Sequence, residues 1–196
     1  MPPLEGLIRM KTEQNRTTEG GTKMKGVIVM CLGELVRNNF GQDKWEAALE
    51  KAGVKKDTIF LSTSNVDDVT VLKVIGSLCD ILNISLVQAA DAFGDYWVNT
   101  FAPKIYGAYY EGIKTAKEFL LNMDKVHVQT AAIVPDSRPP RFDYEWKNDK
   151  TLIMGYKSHR GLIDIMVGLV KGVGKYYNED LKVTKLGDDK VEIIFS

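Results

Sequence analysis

A chain of 196 residues, 44% of them hydrophobic, is long enough to bury a real core and suits one domain. Its 26 Lys and Arg balance 26 Asp and Glu, so neither the basic excess nor the basic stripe of a nucleic-acid binder is present. No apolar run reaches the length of a membrane span and the N-terminus has no apolar signal region, so a soluble cytoplasmic domain is expected. Cys31 and Cys79 lie far apart inside apolar helical patterns, which favours two buried reduced thiols over one disulfide.

Residues 1–23, MPPLEGLIRMKTEQNRTTEGGTK, are mostly polar and hold no period. They read as a disordered extension, with Met24 opening a folded unit over 24–196. Val27, Ile28, Leu32, Leu35 and Val36 then recur at helical spacing, and Phe40-Gly41 ends that helix. Asp43 can cap the next short helix, WEAALEKAG, with Gly53 just past its C-terminus. Further helices are predicted over 67–82 and over 85–101, the latter capped by Ser85. After Pro103 comes an irregular stretch rich in Gly and Tyr, followed by helical segments over 115–121 and 124–134.

The pattern changes at Pro135, because three prolines in PDSRPPR exclude helix. Residues 142–146 and 152–156 alternate around Asn148-Asp149, the mark of a hairpin. A helix over 162–177 carries Ile165, Met166, Leu169, Val170 and Val173 on one side. LKVTKL and KVEIIFS close the chain as two strands joined by Gly187-Asp188-Asp189. Helices first and a helix-containing sheet afterwards predict an α+β fold, with two lobes in one domain.

The candidate chemistry rests on few residues. His127 shares a helix face with Leu120, Met123, Thr130, Ala131 and Val134, so its imidazole points inward. That pattern suits a satisfied core histidine. It also suits a haem ligand, for which one imidazole suffices because the porphyrin supplies four nitrogens. Zinc would need more donors at short spacing. His159 alternates away from the next candidate group and reads as solvated. Tyr156, Ser158 and Arg160 fall on one face if the chain there is extended, offering two hydroxyls and a guanidinium to one spot. An ordinary polar edge strand would look the same. Taken jointly, an inward histidine and a Tyr-x-Ser-x-Arg face address the iron and the two propionates of one cofactor. There is no G-x-S-x-G, Walker loop or H-E-x-x-H, and the acidic pair Asp67-Asp68 sits at a helix start where it favours the dipole.

These residues resemble the H-NOX family, the haem nitric oxide/oxygen binding domains. The likeness runs through MKG at 24–26, DDVT at 67–70, AFGDYW at 92–97, MDKVH at 123–127, RPPRF at 138–142 and YKSHR at 156–160. It implies haem b (iron protoporphyrin IX), with His127 as the proximal iron ligand and Tyr156, Ser158 and Arg160 on the propionates. It implies that Pro140 presses on the porphyrin and that Ile28 and Leu169 contact the macrocycle. The family fold is α+β, with a helical distal subdomain and a proximal subdomain holding an antiparallel sheet.

The same resemblance places Leu32, Trp97, Phe101 and Ile165 in the distal pocket. Oxygen-binding members have a tyrosine where this chain has Ile165, and bound O₂, unlike NO, gains from such a donor. The implied activity is that of a non-enzymatic sensor that binds NO and CO at ferrous iron and excludes O₂. Loss of the iron–His127 bond and a rearrangement of the lobes would then signal to a separate partner, a histidine kinase or a diguanylate cyclase. The competing expectations are an O₂ sensor using the Trp97 indole as donor, a haem enzyme handling NO or peroxide, and a cofactor-free helical interaction domain.

Overall fold

The computed structural model describes residues 22–196, so most of the expected extension lies outside the described residues. Lys23 already belongs to a strand. β1 (Lys23–Lys25) pairs antiparallel with β2 (Asn65–Asp67), Lys23 opposite Asp67. Lys23, expected within the extension, thus pairs in a sheet, and strands of three residues are too short to display a hydrophobic period.

Two compact units follow, one ending at Ala89 and the other running Ala90–Ser196. In the first, α1 (Gly26–Phe40) buries Val27, Leu32, Leu35 and Val36 of the predicted stripe, while Ile28 is half-buried and Val29, outside the stripe, is buried. Gly26 begins it because a Cβ there would fall 2.1 Å from the Leu61 carbonyl oxygen. Gly41, at φ 98°, breaks the chain into α2 (Gln42–Lys51). Asp43 is therefore inside the first turn of α2 and not its cap, a position where its charge still favours the dipole. α2 buries Trp45, Ala48 and Leu49 and packs on both α1 and α3 (Asp68–Leu82), which contributes Val71, Leu72, Val74 and Leu78. Cys31 and Cys79 are both buried, and neither forms a disulfide.

Ser85 caps α4 (Leu86–Tyr96) as predicted. Its hydroxyl accepts from the Gln88 N–H at 3.2 Å, and Gln88 Oε1 accepts from the Ser85 N–H at 2.8 Å, a reciprocal capping box. The helix expected to run on to 101 instead changes type. Trp97–Phe101 form a π turn, with the Ala102 N–H donating to the Trp97 carbonyl five residues back. Pro103 then lies in the first turn of α5 (Ala102–Tyr106), where its missing N–H costs nothing, and a 3-10 turn (Gly107–Tyr109) follows.

One continuous helix, α6 (Ala116–Ile133), stands where two segments were expected; Thr115 caps it by accepting from the Glu118 N–H at 3.1 Å. The hairpin is β3 (Arg141–Asn148) with β4 (Thr151–Lys157), Phe142 opposite Tyr156, and a bulge between Trp146 and Asn148. α7 (Ile163–Tyr176) leads to β5 (Leu181–Leu186) and β6 (Lys190–Phe195). The sheet is antiparallel, in the order β3-β4-β6-β5. Alternate residues Leu152, Met154 and Tyr156 of β4 and Val191, Ile193 and Phe195 of β6 join Phe119 and Leu120 of α6 and Ile163, Met166, Val170 and Val173 of α7 in one core. α7 also meets α4 backbone to backbone: a Cβ on Gly168 would fall 2.1 Å from the Ala90 carbonyl oxygen. The fold class is the α+β mixture that the sequence predicts. Among the described residues, no single helix is long and apolar enough to cross a membrane.

Candidate functional site

The second unit brings the site together around one short segment, Arg138-Pro139-Pro140-Arg141-Phe142. His127 lies past the middle of α6, half-buried. Its Nδ1 is 2.7 Å from the Pro140 carbonyl oxygen. A carbonyl only accepts, so Nδ1 carries the proton and donates, and Nε2 keeps the lone pair a metal would use. Burial pushes the imidazole pKa below its ordinary value, against the opposing pull of the Pro140 hydrogen bond. The neutral ring is thereby favoured. Phe142 packs on it at 5.1 Å between ring centroids and lies 6.4 Å from Tyr156 on its other side.

The same segment reaches Arg160. Arg160 is only 8% exposed, and its Nη1 donates to the Arg138 carbonyl at 2.7 Å. Tyr156, also buried, is the penultimate residue of β4. The strand ends at Lys157, however, so the triad is not the extended face expected from its alternation. Ser158 turns the chain instead: its Oγ accepts from the Arg160 N–H at 3.2 Å, a side-chain turn closed ahead of Gly161, whose φ is 65°. Ser158 and Arg160 meet through that turn, next to Tyr156.

Three residues outside the predicted set anchor this arrangement. Asp124, one helical turn before His127, accepts from Arg141 Nε and Nη2 at 2.7 Å each and from the Phe142 N–H at 2.8 Å. The Tyr144 hydroxyl donates to the Leu120 carbonyl at 2.9 Å and accepts from the Asp124 N–H at 3.2 Å. α6 is thus bolted to β3 on the histidine's own side. The one sequence signal was the three-residue spacing of Asp124 and His127, which puts both on one helix face.

The remaining candidates line faces of three elements. Ile28 and Leu32 stand one turn apart on α1, half-buried and buried. Ile165 and Leu169 stand one turn apart on α7, both half-buried. Trp97 and Phe101 open and close the π turn, their rings 5.6 Å apart, with Phe93 stacked on Trp97 at 5.8 Å.

A family model described as haem-NO-binding matches residues 25–185. The chain belongs to that family. The haem-NO-binding region runs from the last residue of β1 through most of β5. The chain is 28% identical over 159 residues to the soluble guanylate cyclase gcy-32 of Caenorhabditis elegans, and 27% identical over 172 residues to gcy-34 of the same organism. Those matches take in 78% and 84% of this chain but only 23% and 25% of the relatives, so it spans about a quarter of their length. Among solved structures, an oxygen-binding H-NOX domain related to soluble guanylate cyclases superposes with a TM-score of 0.73 at 24% identity, covering 88% of this chain and 95% of that one. A mutant of the T. tengcongensis H-NOX gives 0.75 at 23%, covering 88% and 98%. At those identities the structures share the fold.

The family is one of haem-binding gas-sensor domains, and the donor set fits haem. Among the described residues, no group of three or more His, Cys, Asp or Glu is placed to hold a metal ion by protein ligands alone. A single neutral imidazole with its proton fixed on Nδ1 matches an iron that already has four porphyrin nitrogens.

Proposed function

We propose that this domain is a haem b sensor for nitric oxide, which also takes CO and discriminates against O₂. The observation that carries the reading is the 2.7 Å hydrogen bond from His127 Nδ1 to the Pro140 carbonyl, which orients the ring and reserves Nε2 for iron. Haem iron supplies the site at which the diatomic gas binds. The chain's own residues would hold it: His127 as the iron's protein ligand, Tyr156, Ser158 and Arg160 on the propionates, and Pro140, Ile28 and Leu169 against the macrocycle.

Gas choice follows from what the pocket residues cannot do. Leu32, Phe101 and Ile165 have no hydrogen to donate, and a hydrogen bond to a charged group contributes about 1.5–3 kcal/mol. Withholding it weakens O₂ binding by roughly ten- to a hundredfold at about 1.4 kcal/mol per decade. NO needs no such help. Leu32, Trp97, Phe101 and Ile165 also include no acid or base, whereas a peroxidase or dioxygenase would call for one.

Signalling in this reading starts at His127. Were the ring released from a bound haem, the Pro140 hydrogen bond and the Asp124 and Tyr144 ties would govern how far α6 could follow it. A separate cytoplasmic protein, a histidine kinase or a diguanylate cyclase, would read the change, and reciprocity requires that its binding alter gas affinity equally.

The test is an absorption spectrum of the ferrous protein under argon, CO, NO and air. CO and NO complexes and no stable oxy form are expected, and a persistent oxy spectrum would transfer the donor role to the Trp97 indole. His127→Gly should lose the haem spectrum and regain it with free imidazole. A colourless protein that haem cannot reconstitute would sink the proposal outright.

A further inference from the structure

Asn99 occupies the middle of the π turn, and its amide nitrogen contacts three oxygens. These are the Asp95 carbonyl at 3.1 Å, the Asp95 carboxylate at 2.9 Å and the Gly172 carbonyl of α7 at 3.1 Å. The first is a side-chain bond to the carbonyl four residues back, the same bond that Asn39 makes to Leu35 within α1. Within the turn, the Val98 carbonyl accepts from the Tyr110 hydroxyl at 3.3 Å.

The third contact crosses to another helix. Gly172 is within reach because α7 carries no side chain there: a Cβ on Gly172 would fall 2.6 Å from the Gly94 carbonyl oxygen. Two ion pairs flank the crossing, Lys171 with Asp91 at 2.8 Å and Lys175 with Asp95 at 2.6 Å. Asp95 thus receives Asn99 from its own helix and Lys175 from α7. Trp97 and Phe101 stand two residues to either side of Asn99. On α7, Leu169 is one turn before Gly172 and Ile165 is two.

We propose that Asn99 is a positioning residue, which fastens the π turn to the α7 backbone and so fixes Trp97 and Phe101 relative to Ile165 and Leu169. This rests on the reading of those four residues as walls of the gas pocket. An unlatched turn can relax toward α-helix, and taking up the extra residue rotates Phe101 and everything after it about the helix axis. The shape of the pocket then depends on a side chain that never touches the gas.

Asn99→Asp keeps size and shape but removes the donors, and Tyr110→Phe removes the second latch. Both are to be made in the haem-loaded protein beside Trp97→Phe. Two readouts are taken: amide hydrogen exchange of the peptide covering 95–102, and the C–O stretching band and CO dissociation rate of the ferrous CO complex. In Asn99→Asp, exchange of that peptide should rise by about tenfold. The CO band should shift or broaden, and CO should leave faster by about threefold or more. Haem content and exchange across 116–133 should stay unchanged, and Asn99→Gln, which keeps an amide donor, should recover part of the CO band. Unchanged exchange in Asn99→Asp overturns the latch. Faster exchange with an unmoved CO band, while Trp97→Phe does move it, overturns the positioning role and leaves the pocket reading standing. An unmoved band in Trp97→Phe removes the pocket reading, and the inference with it. Should Asn99→Asp not retain haem, Tyr110→Phe is judged by the same two readouts, with the same outcomes deciding.

Discussion

Asp124 and Arg141 meet side by side in a two-point ion pair, and the Phe142 N–H adds a third bond to the same carboxylate. Hydrogen bonding from Arg141, helped by the Phe142 N–H and opposed by burial, holds the Asp124 carboxyl at about 2, below its usual 3.8. A folded-state pKa below the unfolded one means that the charged form stabilises the fold. The contribution is complete above the unfolded value and is lost as pH falls toward the folded one. Asp124→Asn should therefore be less stable than the parent above about pH 4, with the gap closing as pH approaches 2. Urea unfolding at a series of pH values measures it, and a gap that persists at the acid end would refute the linkage.

Arg160→Ala removes a buried fork that donates to the Arg138 carbonyl. Haem transfer to an excess of apomyoglobin should accelerate by about tenfold or more, in line with about 1.5–3 kcal/mol for a charge-assisted hydrogen bond. CO and NO binding by the fraction still loaded should change far less. A selective change in gas affinity without haem loss would contradict the propionate assignment.

Ile165→Tyr adds a hydroxyl to the half-buried face of α7. The ferrous protein should then gain roughly ten- to a hundredfold in O₂ affinity, visible as an oxy spectrum in air, with NO affinity little altered. No oxy complex at any O₂ pressure would place Ile165 away from the gas.

Gly168→Ala puts a methyl where the Ala90 carbonyl oxygen already stands, 2.1 Å from the new Cβ. Overpacking of this kind costs about 1–3 kcal/mol, which denaturant midpoints resolve. Gly107→Ala is the control, since a Cβ there meets nothing within 4 Å and should change stability by less than about 0.5 kcal/mol. Equal effects at the two glycines would mean that α4 and α7 are not in backbone contact.

The sequence by itself determined whatever repeats along the chain. Apolar stripes at helical spacing gave α1 and α7, alternation around Asn148-Asp149 gave the hairpin, and His127, expected to point inward from a face shared with Leu120 and Met123, is half-buried. What stayed hidden has no period and no residue signature. The π turn inserts one residue without changing composition, so only the ladder reveals it. Asp124 was expected to open a separate helix over 124–134, yet its carboxylate is satisfied from β3 and the helix runs straight through. Tertiary structure also decided the histidine's chemistry, since the acceptor that fixes its proton is a backbone carbonyl that any residue could have carried. It decided the geometry of Ser158 and Arg160 too, because a side-chain hydrogen bond closed a turn where alternation alone predicted a strand.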